Sequence, residues 1–475
     1  MKLLLPQITL VASILLFCVY YFLQINLDFI FFSIIFWLIF WNGLIYKGEM
    51  VAIDIFRPYF LTSILLFLYS ISGILFMAEF ELTYYGEFVP IRSFYIYIFA
   101  TLATQLGISI GFAIQSSRFH NTNRPLLDVV YSHSNTIASI CLLLVTALVG
   151  VACIPFIYES FLPSASVGYS EWALQSRLED LQSNTSGLKE IFTETLPIVL
   201  IICSSIHLLF TPNYFLVVRI LAATVLVLFF YTQLLSGARA QVMMVLLLIG
   251  IFINYRIYRF NFFQIALGSA SVYVLVSLIS ILRFTSDPLE MIYALQDQFS
   301  AEGFQFLAIS SSTELLTGLN AVRVIESIES GQETFQHGML FINQILGFIP
   351  KVFWPGRPMF ASELFVQTFY PGIFESGGGF GFSIVAEGYW DFGLIGCVIL
   401  GIFIGGFGEK VYQLFVKSLD NDLYIFLYSL IFLRLVILLN RSGFISSIKG
   451  AFIVSIPILL VLIAYYFIEF VRKVK

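Results

Sequence analysis

The sequence predicts an all-α polytopic membrane protein of about twelve transmembrane helices, with a large extracytoplasmic loop carrying short helices between spans 9 and 10. Three observations predict it. Of 475 residues, 59% are apolar and 11% are charged, whereas a soluble domain carries roughly 25% charged residues and needs them to cover its surface. Aromatic residues make up 17%, with 52 Phe and 25 Tyr, a composition suited to lipid-facing and interfacial positions. The apolar residues also fall in runs of span length. A formal net charge of −5 gives a nucleic-acid partner no basic footprint. The chain 1–475 reads as one integral membrane domain.

Taken in order, the runs lie near 5–24, 27–46, 58–79, 93–115, 135–157, 192–210, 215–235, 241–255, 262–282, 385–408, 422–440 and 451–470. The first is too long for a signal-peptide core and lacks a small-x-small cleavage site, so it reads as a retained span. The eighth is short and the tenth is glycine-rich. Lys and Arg concentrate in the loops that share a side with the termini, among them Lys47, Arg57, Arg118, Arg124, Arg256 and Arg259. That asymmetry places both termini in the cytoplasm. Cys18, Cys141, Cys153, Cys203 and Cys397 all sit inside apolar runs, as small buried hydrophobes rather than a disulfide framework or a thiolate metal site.

Two outer segments are large. In the smaller, 158–191, Ser170 precedes Leu174, Leu178 and Leu181, a capped apolar stripe at helical spacing that suits a surface helix. The larger, 283–384, opens a helix at Asp287, Pro288 and Glu290, a capping residue followed by Pro at the first helical position. A second helix is expected over 314–328. A loop of this length with its own helices is expected to carry function.

The candidate chemistry is sparse. The histidines are His120, His133, His207 and His337, and of these only His337 falls on the outer side. No HExxH or Ser-His-Asp grouping can be assembled, which argues against a metallohydrolase or serine hydrolase. No GxxxxGK[ST] occurs, which argues against an ATP-driven machine. Gly377, Gly378 and Gly379 read as a hinge before a span. Arg239, Arg283, Arg357 and Arg441 cluster at outer span ends or in the outer loop, and Arg434 sits inside the eleventh span, where an unpaired cation costs about 2.5–3.5 kcal/mol on insertion scales. Singly, such arginines could pair with carboxylates such as Glu363 and Glu375. As a set they suit an anion, because a guanidinium fork donates parallel hydrogen bonds to phosphate. Glu387, at the start of the tenth span, is either a carboxylate settled at a helix N-terminus or a base or orienter. Trp354, Tyr389 and Trp390 read as interface anchors that could also stack on sugars.

Four stretches resemble the Wzy-type O-antigen or oligosaccharide repeat unit polymerases. Leu235-Ser236-Gly237-Ala238-Arg239-Ala240 resembles that family's glycine-arginine turn, and Arg239 with Gly250 matches its R-x10-G spacing. The segment from Ile349 and Pro350 through Trp354-Pro355-Gly356-Arg357-Pro358 is similar to its Trp-Pro-Gly-(Lys/Arg)-Pro run and is the most specific match. Gly381-Phe382-Ser383 through Glu387-Gly388-Tyr389-Trp390-Asp391-Phe392-Gly393 resembles a third, with Asp391 where Asn is usual. Asn440-Arg441-Ser442-Gly443 resembles the arginine turn before the last span. A second R-x10-G is absent from the long loop, since Thr334 and Ala294 stand where glycine would follow Arg323 and Arg283.

The resemblance implies a multi-span glycosyltransferase of the bacterial inner membrane, with its active site facing the periplasm. It would transfer a growing glycan from undecaprenyl diphosphate to a lipid-linked repeat unit, with a chain-length regulator protein as a possible accessory partner. It further implies a catalytic set of Arg239, Arg357, Arg441 and Glu387, with Arg283, Tyr389, Trp354 and His337 on the substrate. Neither a cofactor nor a metal is expected, since arginines can neutralise a diphosphate leaving group. A lipid-linked oligosaccharide flippase and an O-antigen ligase are the rival readings.

Overall fold

The computed structural model describes residues 56–79, 83–84, 87–88, 90–117, 239–256, 315–349, 353–417 and 422–474, together with residue 54 and scattered positions between 151 and 293. Candidate spans 5–24, 27–46, 135–157, 192–210, 215–235 and 262–282 lie wholly or largely outside these residues, as do the expected helices at 170 and 287. The remaining candidates each fall on a helix.

The described chain is helical apart from a ribbon of two antiparallel two-residue strands, β1 (Thr83–Tyr84) and β2 (Glu87–Phe88). That ribbon joins α1 (Pro58–Glu79) to α2 (Ile91–Ser117). Proline suits the first position of α1, where its missing N–H has no intrahelical partner to lose. Next comes α3 (Arg239–Arg256). The helix expected over 314–328 is present in two pieces, a 3-10 turn (Leu315–Leu319) running into α4 (Asn320–Glu329). Three short helices follow: α5 (Met339–Leu346), α6 (Ala361–Phe369) and α7 (Pro371–Glu375). The last part of the chain is α8 (Ile384–Lys417), α9 (Asp422–Phe432) with a π-helical turn at Leu433–Ile437, α10 (Leu439–Ser442) and α11 (Phe444–Val474). Among the described residues, α2 and α8 are long and apolar enough to cross a membrane by length and composition.

Among the described residues, the closest helix packing joins α2 to α8, and glycine explains it. Gly107 and Gly111 on α2 face Gly401 and Gly405 on α8, and a Cβ at any of the four would overlap a backbone carbonyl of the opposing helix. The Cβ of a side chain at Gly401 would lie 2.9 Å from the Cα of Gly107. Both helices therefore carry the G-x-x-x-G spacing that lets backbones approach where no water drives association and van der Waals contact must hold the pair. Gly401→Val is expected to cut the detergent melting temperature and the yield of folded protein. A variant that melts like the parent would show that the interface is loose.

A 34-residue α8 is longer than a membrane requires, and it is not one rod. Phe392 (φ −143°, ψ 25°) and Gly393 (φ 62°, ψ −144°) leave helical geometry, the second in a region that only glycine enters freely. The segment before the break folds back on the segment after it. A Cβ on Gly388 would lie 2.8 Å from the Cα of Cys397, whereas residues that far apart in a straight helix stand about 14 Å apart. The Cys397 thiol also points to the Val385 carbonyl at 3.7 Å. The tenth candidate span is thus a short folded-back helix, Ile384 to Asp391, joined to a long one.

At the far end of α8 lies a buried polar knot. Arg57 donates to both oxygens of Glu409 at 2.8 and 2.5 Å, under the ring of Phe112 at 4.6 Å. Beside it the Asp54 carboxylate accepts from the hydroxyls of Tyr255 and Tyr412 at 2.8 and 2.5 Å. Arg57, read from sequence as a loop cation, is instead paired within the packing and ties α1 to α8.

Candidate functional site

The folded-back start of α8 places Glu387 at a junction of three elements. Its side chain is 2% exposed. Oε1 accepts from the Gln344 amide on α5 at 2.6 Å, and Oε2 accepts from the Phe444 N–H at the start of α11 at 2.7 Å. Gly443, at φ 81°, allows this approach, since a Cβ there would stand 2.8 Å from Oε2. The carboxylate does settle a helix N-terminus, but that of α11 rather than its own.

The strand-like segment ahead of α8 is stitched to the turn that carries Arg441. Phe382 N–H donates to the Arg441 carbonyl at 2.7 Å, Thr317 donates to the Asn440 carbonyl at 3.2 Å, and the Asn320 amide donates to the Gly381 carbonyl. A Cβ on Gly381 would lie 3.2 Å from Cγ of Arg441. Asn440 itself is fully buried, and neither polar atom of its side chain has a partner among the described residues.

Arg357 sits one turn of loop beyond Trp354, whose carbonyl accepts from the Arg357 N–H at 3.1 Å. Its guanidinium lies over the Phe360 ring at 4.9 Å, and Nη1 donates to the carbonyl of Gly347 at the end of α5. Glu363 does not neutralise it. That carboxylate accepts from the Phe360 N–H at 3.3 Å and caps α6, and Arg357 forms no ion pair with any described residue. Sequence reading missed a second cation here. Lys449, counted as a loop residue, lies inside α11, because that helix starts at Phe444 and not near 451. Its ammonium reaches the same Gly347 carbonyl at 3.4 Å and lies over the same ring at 4.5 Å.

The other candidates divide. His337 is exposed, with φ 49°, and its N–H donates to the Asp391 carbonyl at 3.0 Å. The Asp391 carboxylate caps the start of α5, accepting from Gly338 and Leu340 at 3.1 and 3.2 Å, which suits an acid in the place where the resembling family has Asn. Tyr389 is 4% exposed against Phe335, and Trp390 is 1% exposed. The expectation that these two anchor at an interface is therefore overturned: the fold-back turns both rings into the core. Trp354 is 39% exposed. Arg239 is the first residue of α3, three turns from Gly250 and on the same face. Arg434 falls in the π-helical turn with its Nη1 3.6 Å from where a Cβ on Gly450 would stand. Arg283 lies outside the described residues. Among the described residues, no group of three or more His, Cys, Asp or Glu side chains is placed to share a metal ion.

Residues 7–474 match the model of a family described as O-antigen polysaccharide polymerase Wzy. No curated protein and no solved structure matches the chain.

Proposed function

Because the chain belongs to the O-antigen polysaccharide polymerase Wzy family, we propose that it transfers a growing glycan from undecaprenyl diphosphate to a lipid-linked repeat unit at the outer face of the bacterial inner membrane. The observation that carries this reading is the meeting of three sequence motifs around one buried carboxylate. Glu387 joins α5, whose end carries the Arg357 contact, to the start of α11, directly after Arg441.

The chemistry follows from the leaving group. As the glycosidic bond to the diphosphate breaks, negative charge grows on the departing oxygen, and fixed guanidinium donors stabilise it most where water is excluded. Arg357 and Arg441 take that role, with Arg239 and Arg283 as further members of the set. Both oxygens of Glu387 are already engaged, so it acts by holding the two cation-bearing elements in register. Trp354 and His337 are the side chains proposed to meet sugar rings, and their exposure supports that reading. Tyr389 would reach substrate only if the fold-back opened.

Full-length protein in vesicles supplied with lipid-linked repeat units is expected to yield a ladder of lengthening chains, and to continue in excess EDTA. Loss of the ladder in EDTA with recovery on added magnesium would assign charge neutralisation to a metal. Transfer to a lipid A core acceptor without a ladder would make the protein a ligase, and movement of lipid-linked units across the bilayer without new linkages would make it a flippase.

A further inference from the structure

We propose that α5 and the turn after it, as far as Met359, lie in the outer leaflet of the bilayer, with phospholipid acyl chains covering their exposed apolar face. Hydropathy alone assigns this stretch to a loop outside the membrane, so the proposal moves part of that loop into lipid.

The exposed surface of the loop changes character along the chain. Over 329–334 every exposed residue is polar or glycine, Glu329, Ser330, Gln332 and Thr334 among them. Over 339–349 the exposed residues are Met339, Ile342, Ile345 and Ile349, all apolar. Phe353, at 81% exposed, and Met359 extend the patch, with Trp354 between them. Polar side chains return on α6 and α7 with Gln367, Thr368 and Glu375. A polar, apolar, polar sequence within one loop is the pattern of a segment that enters a nonpolar medium and leaves it again.

The two faces of α5 agree with this. Its inner face carries Leu340 and Gln344, both fully buried, and Gln344 is bonded to Glu387. Its outer face carries Met339, Ile342 and Ile345, three residues apart and so on one side of the helix. In water such a continuous apolar surface is costly. A helix held to protein on one side and apolar on the other is stable lying in the plane of a membrane interface.

The neighbouring helix decides what covers the face. Ile395, Ile399, Phe403 and Phe407 form an exposed apolar stripe at four-residue spacing on α8, a helix long and apolar enough to cross a membrane. Phe341 of α5 stacks on Phe403, with ring centroids 6.4 Å apart and planes at 27°. The outward surface of α5 is thus continuous with that of a span, and the lipid that bathes one bathes the other. Arg357 is held where the apolar face ends, donating to the carbonyl of Gly347, and a long cationic side chain at the edge of hydrocarbon lies level with the headgroups. This last step rests on the polymerase reading: a lipid-linked diphosphate would reach Arg357 by lateral diffusion, without lifting its chain out of the leaflet.

The test uses the full-length protein in phospholipid vesicles, with a benzophenone-bearing amino acid in place of Ile345, Phe353, Gln332 or Gln367, one position per variant. After irradiation, mass spectrometry is expected to find phospholipid adducts at 345 and 353 and none above background at 332 and 367. Melting curves report folding, and Ile342 replaces Ile345 if that variant is unfolded. Equal yields at all four positions would leave the segment no preference for lipid, and cross-links from 345 and 353 to a second protein chain would make the face a protein interface. Either result overturns the proposal. The labelling reads no product, so lipid adducts from a chain that makes no polymer ladder would sink the polymerase reading and leave the placement standing. Phe353→Glu, at so exposed a position, is expected to melt like the parent yet lose most of the ladder, and a full ladder from that variant would overturn the link to Arg357.

Discussion

Replacing Arg357 with alanine is expected to lower polymer formation by roughly 10²–10³-fold, the cost of removing one charged donor from a preorganised, water-excluded site. Protein level and membrane insertion should stay normal, because the residue lies in a loop and its structural contacts are one carbonyl and one ring face. Arg357→Lys should recover only part of the activity. Lysine keeps the charge but loses the planar fork, and with it the ability to grip two oxygens at once. Arg239→Ala is expected to fall alongside it. The control is Arg323→Ala: that guanidinium is engaged with Glu326 on its own helix at 2.8 Å, so its loss should leave the ladder intact. Wild-type ladders from the Arg357 alanine variant would mean that the arginine serves only to cap α5, and the proposed site would be wrong.

The helices were legible in the sequence wherever hydropathy alone decides. The runs at 58–79 and 93–115 meet helices Pro58–Glu79 and Ile91–Ser117, since an apolar run of that length has few other ways to satisfy its backbone in lipid. Glycine was harder to read. Its abundance in the tenth span looked like weakness in a helix, yet Gly401 and Gly405 make the tightest helix interface among the described residues. The informative signal was not composition but spacing, a G-x-x-x-G on each of two helices.

The fold-back at Phe392–Gly393 was hidden for a related reason. No proline marks the reversal, and the apolar residues on both sides of it, Ile384 to Ala386 and Leu394 to Cys397, read as one continuing span. Its consequences were hidden with it. Tyr389 and Trp390 look like interface aromatics in a straight span and become core residues in a doubled one. The candidate site was legible in part, through motif residues Arg357, Glu387 and Arg441. Lys449 was missed because an estimated helix start several residues too late left it in a loop, where a cation needs no partner. Only tertiary packing sets it beside Arg357.

Glu387 supplies the second large effect, and it separates positioning from catalysis. Glu387→Leu orphans two buried donors, the Gln344 amide and the Phe444 N–H. At about 1–3 kcal/mol for each unsatisfied group, the loss is about 2–6 kcal/mol, a large share of the roughly 5–15 kcal/mol that holds a typical protein folded. The leucine variant is therefore expected to melt far below the parent or fail to accumulate. Glu387→Gln should behave differently. Gln344 has an Oε1 that is buried without a partner, so a glutamine at 387 can accept from Phe444 and donate to Gln344 once that amide turns over. Both donors stay satisfied without a negative charge. If Glu387 only holds α5 and α11 in register, the Gln variant should fold, keep the parental pH profile and polymerise within about tenfold of it. A general base removed from the reacting hydroxyl would instead cost about 10²–10⁴-fold. A folded Gln variant with a loss of that size would move Glu387 from the scaffold of the site to its chemistry.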